Sequence, residues 1–113
     1  MNSVVVDVKV QPDVKLFEDS INFTGSVLSG KFTMPDATLK NRYTFIRIVY
    51  CDAVNDEVKS LVQSGNYIRV YAHLDSEIYK AKSGKTVYNK ILRAERICKI
   101  QYNRELGDFE EVD

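Results

Sequence analysis

Alternation dominates this sequence. Apolar side chains recur at every second position in several separate runs, and a period of two fits a strand with one buried face. In residues 43–51, Thr44, Ile46, Ile48 and Tyr50 share one face, and Tyr43, Phe45, Arg47 and Val49 share the other. Residues 67–75 repeat the pattern, with Ile68, Val70, Ala72 and Leu74 inward and Tyr67, Arg69, Tyr71, His73 and Asp75 outward. At 4–10, Val4, Val6, Val8 and Val10 stand against Val5, Asp7 and Lys9. A chain made of such runs must close them into a sheet with one dry side and one wet side.

One segment changes period. Val54, Val58, Leu61 and Val62 recur at helical spacing, with Asp56 and Glu57 early and Gly65 just past the end, which predicts a short amphipathic helix. The run at 21–28 gives another strand, and its Gly25 predicts a bulge or sharp bend. Ser83-Gly84-Lys85 is a turn inside 79–88, so that stretch becomes the tip of a long β-hairpin. Residues 87–102 form the last long strand, bulged where Ile91 and Leu92 adjoin. Beyond Asn103 the pattern is lost, and 104–113 read as a short, solvated acidic tail after a single domain of 1–103. Three strand regions, one helix, and two strands joined by a protruding hairpin are the layout of an OB-fold: all-β, a five-stranded partly open barrel with one short helix between the third and fourth strands. The exposed face and loops of such barrels bind oligonucleotides.

A length of 113 residues allows one domain with one core. Sixteen bases cancel sixteen acids, but unevenly. Residues 1–39 hold three bases and five acids, residues 40–104 thirteen bases and six acids, and the closing ELGDFEEVD five acids and no base. The body is therefore net +7 and the tail net −5. Whether that tail lies on the basic body is left open by the sequence. Cys51 and Cys98 have neither CxxC spacing nor a nearby His, which argues against a zinc site, and both are expected in the core as reduced thiols. Asp7 and Lys9 interrupt the first apolar run, so it is not the apolar region of a secretion signal, and no run nears the roughly 18 apolar residues of a membrane helix. A cytoplasmic location without membrane, metal or cofactor is expected.

The densest chemistry lies on the outward faces and the hairpin: Tyr43, Phe45, Arg47, Arg69, Tyr71, Tyr79, Lys80, Lys82, Lys85 and Tyr88, with Tyr67 beside them. Unpaired bases offer flat rings and a charged backbone, so their binder needs aromatic platforms beside cations. Aromatics also favour strands, and Lys and Arg favour any wet face, so composition alone does not decide. The run Gly25-Ser26-Val27-Leu28-Ser29-Gly30-Lys31 fits seven positions of a phosphate loop, but Phe32 stands where Ser or Thr would ligate magnesium and Pro35 forbids the helix that should follow. His73, the single histidine, has no nucleophile motif beside it, so no catalytic triad and no turnover are expected. Asp52, Asp56 and Glu57 read as helix-start acids rather than metal ligands.

Tyr43-Thr44-Phe45-Ile46-Arg47-Ile48-Val49-Tyr50, the helix ending at Gly65, Tyr67-Ile68-Arg69-Val70-Tyr71-Ala72-His73-Leu74, and the hairpin around Ser83-Gly84-Lys85 together resemble bacterial and phage single-stranded DNA-binding proteins. The resemblance extends from Asn2 to about Tyr102 and adds Asn2-Ser3-Val4-Val5-Val6 and Leu61-Val62-Gln63-Ser64-Gly65-Asn66-Tyr67-Ile68. It implies a non-enzymatic, sequence-tolerant binder of single-stranded DNA in replication, repair or recombination. It also implies a homo-oligomer, dimer or tetramer, joined through the first strand, and replication proteins as further partners. Phe45 takes the aromatic position two before Arg47, Tyr79 resembles the hairpin aromatic, Tyr88 the tyrosine on its returning arm, and Phe32 an earlier aromatic. The chain departs from the family in lacking Trp and in placing Asp75 and Glu77 where bases are usual. The alternative is an OB-fold primosome or replisome accessory module whose tyrosine-rich face binds protein, since Tyr and Arg are also interface residues.

Overall fold

The computed structural model describes residues 2–51 and 55–112. In chain order it forms β1 (Val4–Val10), β2 (Lys15–Leu16), β3 (Ile21–Thr33), β4 (Leu39–Tyr50), α1 (Asp56–Leu61), β5 (Tyr67–Lys80), β6 (Thr86–Asn103) and β7 (Asp108–Glu111). Five of these strands make a ring. β1 pairs antiparallel with β5, β5 with β6, β6 parallel with β4, β4 antiparallel with β3, and β3 returns to β1. The expected five-stranded architecture is therefore present, with α1 between the third and fourth ring strands.

Alternation fills the ring. Val8, Val10, Ile21, Phe23, Ile48, Ile68, Val70, Leu92 and Ala94 point inward, and Val58 and Val62 close one end from the helix segment. Asn55 caps α1, its Oδ1 accepting from the Val58 N–H at 2.9 Å, while Asp56 and Glu57 occupy the positive first turn. Of the helix signals read from the sequence, Asp52 and Val54 lie outside the described residues.

The last contact of the ring is short, only Lys9 against Ser26 and Val10 against Gly25. There β3 is gripped from both sides, since Gly25 also pairs with Ile46. A Cβ built on Gly25 would sit 2.8 Å from Val8 Cβ and 2.9 Å from Ile48 Cδ1. Close approach, not a bulge, demands this glycine. The β3 irregularity falls instead between Leu28 and Gly30.

The bulge expected at Ile91-Leu92 is also elsewhere. Register shifts where Tyr71 faces Arg96 but Ala72 faces Ala94, leaving Glu95 as the extra residue. Ile91 and Leu92 are both apolar because both faces of the sheet are dry there: Leu92 enters the core, and Ile91 is covered on the outer side. The two cysteines are not core residues. Cys51 is exposed, with Arg93 Nη1 3.7 Å from its sulfur, and Cys98 is half-buried on the outer side.

The end of the chain is not a patternless solvated tail. Asn103 Oδ1 accepts from the N–H groups of Glu105 and Leu106, and the Gly107 N–H donates to the Asn103 carbonyl at 2.9 Å with Gly107 at φ +68°. That turn sends β7 back along β6, pairing Phe109 with Tyr102 and Glu111 with Ile100.

Candidate nucleic-acid interface

Ladder partners in a sheet share a face, so register decides which side chains meet. On β4, Tyr43, Phe45 and Arg47 stand on the outer face. Arg47 lies level with Ile91 of β6, which is level with Asp75 of β5, and on β5 that same face continues through Glu77 to Tyr79. Phe45 is 61% exposed and Tyr79 47%, so both rings are open to solvent on this face. Between them Arg47, half-exposed, has Nη2 3.6 Å from Glu77 Oε2. This patch combines two open rings with a cation.

Tyr88, Phe32 and the three candidate lysines lie apart from it. Tyr88 pairs with Ile78, whereas Tyr79 pairs with Val87, so the two tyrosines project from opposite sides of the hairpin ribbon. Tyr88 is exposed there beside exposed Ile78. Phe32 pairs with Lys40 beyond the β3 irregularity, and the Arg42 guanidinium lies 5.6 Å from its ring, on the side opposite Tyr43 and Phe45. Lys80 is on the Tyr88 side, while Lys82 and Lys85 lie in the turn, closed by Ala81 N–H to the Lys85 carbonyl. All three lysines are exposed, and the ion pairs among the described residues engage arginines and His73 but no lysine.

Arg69 and Tyr71 keep the outward direction expected of them, yet other groups already hold them. Arg69 Nε donates to Asp7 Oδ1 at 2.7 Å and its Nη2 to Asp7 Oδ2 at 3.1 Å and to the Phe109 carbonyl at 3.1 Å. Its guanidinium pKa is raised, first by the hydrogen bond to Asp7 and further by Glu111. The Tyr71 hydroxyl donates to Glu111 Oε2 at 2.6 Å, which raises its pKa, and the Arg96 guanidinium lies 5.1 Å from the Tyr71 ring. Glu111 also pairs with Arg69 at 3.3 Å and Arg96 at 3.4 Å. So the acidic end does lie on basic side chains, at the Arg69 end of β5.

Phe109 completes the cover by stacking on Tyr67, centroids 5.2 Å apart and planes at 24°, with Tyr102 edge-on at 5.4 Å. Alternation gives no hint of this aromatic cluster. Its signals in the sequence are Asn103 and Gly107 as turn residues and a lone Phe among acids. The Glu111 carboxyl is held below the usual range, first by the Tyr71 hydroxyl, then by Cys98 and Arg69. A depressed carboxyl contributes stability above its unfolded pKa and loses it as pH falls through the folded one. Acidification through that range is therefore expected to release β7, read as loss of the Tyr67–Phe109 ring stacking by NMR. Stacking that survives protonation of Glu111 contradicts this.

Elsewhere on the outer face, Arg93 Nε donates to Asp75 Oδ2 at 2.8 Å, which lowers the Asp75 pKa, and His73 Nδ1 lies 2.9 Å from Glu95. No group of three or more metal-ligating side chains occurs among the described residues. Nor is any described helix long and apolar enough to cross a membrane.

No protein-family model and no curated protein matches the sequence. Solved structures do match. A Plasmodium falciparum single-stranded DNA-binding protein, solved with single-stranded DNA, superposes with a TM-score of 0.66 at 18% identity, covering 100% of this chain and 96% of that one. The small single-stranded DNA-binding protein of Streptomyces coelicolor gives 0.62 at 14% identity, over 95% and 100%. A deletion mutant of the Thermus aquaticus single-stranded DNA-binding protein gives 0.64 at 16% identity, over 97% of this chain and 54% of that one. The ring order, the helix position and these superpositions together establish that the chain has the OB-fold shared by these three single-stranded DNA-binding proteins.

Proposed function

We propose that this chain is a sequence-tolerant single-stranded DNA-binding protein acting in cytoplasmic replication, repair or recombination, without turnover. The observation that supports this most is the pair of open rings, Phe45 and Tyr79, on one face with Arg47 between them. Bases stack on the rings whatever their identity, and phosphates meet Arg47 and the lysines of the β5–β6 turn. Tyr43 extends the ring row along β4, Phe32 with Arg42 offers a ring and cation pair on the reverse of the β3–β4 hairpin, and Tyr88 and Lys80 share the reverse side of the β5–β6 hairpin. A strand leaving the front face would meet these next. Arg69 and Tyr71 contribute only where β7 is displaced.

Assembly into a dimer or tetramer fits β1. One edge is paired with β5 over Val4–Lys9, but the other meets β3 only at Lys9 and Val10. The open edge at residues 4–8 is suited to pairing with a second copy. Replication proteins would then meet an assembled binder.

Oligo(dT) titration by tyrosine fluorescence at several salt concentrations tests the reading. Binding should be tight at low salt and weaken as salt rises. Replacing Lys80, Lys82 and Lys85 together by alanine should flatten the slope of log affinity against log salt by about 2, since each phosphate on a single strand that a lysine neutralises adds about 0.7 to it. Absence of binding at low salt refutes the proposal.

A further inference from the structure

We infer that Glu77 sets how firmly the ring face holds a strand, by competing with a backbone phosphate for Arg47. This rests on the DNA-binding proposal. Arg47 is the arginine between the two open rings, and its side chain is 48% exposed, so a phosphate can reach it. Its contacts are loose. The pair with Glu77 spans 3.6 Å, against 2.7 Å for Arg69 with Asp7 and 2.8 Å for Arg93 with Asp75. With the Asn22 amide turned to satisfy its neighbours, its oxygen accepts from Arg47 Nη2 at 3.2 Å, a neutral second contact that need not be given up.

The other carboxylates near Arg47 are already committed: Asp13, in the same hollow as Arg47 and a Lys15 that enters no ion pair among the described residues, accepts from the Thr24 N–H and hydroxyl. Asp75 accepts from Arg93 and from the Ser76 N–H, and His73 faces Glu95. Asn89, opposite Glu77, is neutral, and its Nδ2 lies 3.4 Å from the Tyr79 hydroxyl. Glu77 is thus the carboxylate whose partner a strand would take. When a phosphate captures Arg47, the displaced Glu77 keeps its charge a few ångströms away and repels the same phosphate. Binding is opposed twice, once by the broken pair and once by the like charge. Neither opposition exists for the lysines of the hairpin turn, which enter no ion pair among the described residues. The face is therefore divided into a braked centre and a free-running tip.

The test uses the full chain and oligo(dT) titrations from low to moderate salt. Glu77→Gln is expected to tighten binding about three- to tenfold at low salt and to steepen the salt slope by about 0.7, the value for one more neutralised phosphate. Adding Arg47→Ala to Glu77→Gln should erase both gains. Glu57→Gln makes the same charge change on α1, at an exposed acid that pairs with no arginine among the described residues, and should leave the slope unchanged. Circular dichroism and thermal unfolding verify that each variant is folded. An unchanged slope in Glu77→Gln, while the parent protein binds, overturns this inference and leaves the DNA-binding proposal standing. Gains that persist without Arg47 also overturn it, because they trace to net charge alone. Failure of the parent protein to bind at low salt refutes both.

Discussion

Replacing Phe45 and Tyr79 together with alanine is expected to weaken oligo(dT) binding by about 2 to 6 kcal/mol, since each ring is worth about 1 to 3 kcal/mol per stacked base. Both rings are open to solvent and neither belongs to the core, so the fold should be unaffected: exposed substitutions of this kind change stability by about 0.5 kcal/mol or less. The two quantities separate the site from the scaffold. Titration of the folded double variant gives the first and urea unfolding the second. Because stacking does not depend on base identity, the loss should be similar for oligo(dT) and mixed sequences. A double variant that binds DNA as well as its parent, but no longer captures a protein partner, would transfer the face to the accessory-module reading.

Gly25→Ala is the substitution expected to damage the scaffold most for its size. The added carbon would lie 2.8 Å from Val8 Cβ and 2.9 Å from Val8 Cγ2 and Ile48 Cδ1, inside contacts that buried side chains do not tolerate. Val8 and Ile48 are both core residues with essentially no exposed surface. β3 cannot retreat from β1 without breaking the two residue pairs that close the ring. Overpacking of this kind costs about 1 to 3 kcal/mol, a large share of the roughly 5 to 15 kcal/mol that holds a small domain together. Gly25→Val should cost more. Urea denaturation followed by circular dichroism gives the value, and an unchanged midpoint would show that β1 and β3 can separate freely there. Gly84 is a useful contrast: nothing lies within 4 Å of its Cβ position, and its φ of +85° makes any penalty a turn effect instead.

These residues also show how far the sequence can be read. Period two places Phe45 with Arg47 and Tyr43 on one side of β4, because along a single strand parity is a local property. Parity between strands is not local. Tyr79 and Tyr88 each face outward in their own run, but five residues, 81–85, separate the last pair, Lys80 and Thr86, and this count puts the tyrosines on opposite sides. The one-residue irregularity near Ser29 likewise reverses Phe32 relative to Tyr43. For Arg69 and Tyr71 the direction is legible and only the partner is hidden, since Glu111 is 42 residues from one and 40 from the other. Gly25 stands out within its strand, but as a bulge signal, which is the wrong reason. Its neighbour, Val8, approaches from another strand, and no local pattern records that. What alternation determines is the content of each face; which faces coincide depends on turn lengths and bulges.

The short seam between β1 and β3 bears on how the chain is assembled during translation. β1 emerges before every strand it must join, and its main partner follows far behind: Asp7 meets Arg69 62 positions later. The β3–β4 and β5–β6 hairpins can zip from their own turns, but a valine-rich ribbon must wait, unpaired, until β5 has left the ribosome. At the roughly 5 to 20 residues per second of synthesis, that wait lasts several seconds. For that interval the nascent chain carries a sticky, half-made edge, and Asp7 and Lys9 are the two charges within it, of the kind that slow premature edge-to-edge joining before the ring has closed.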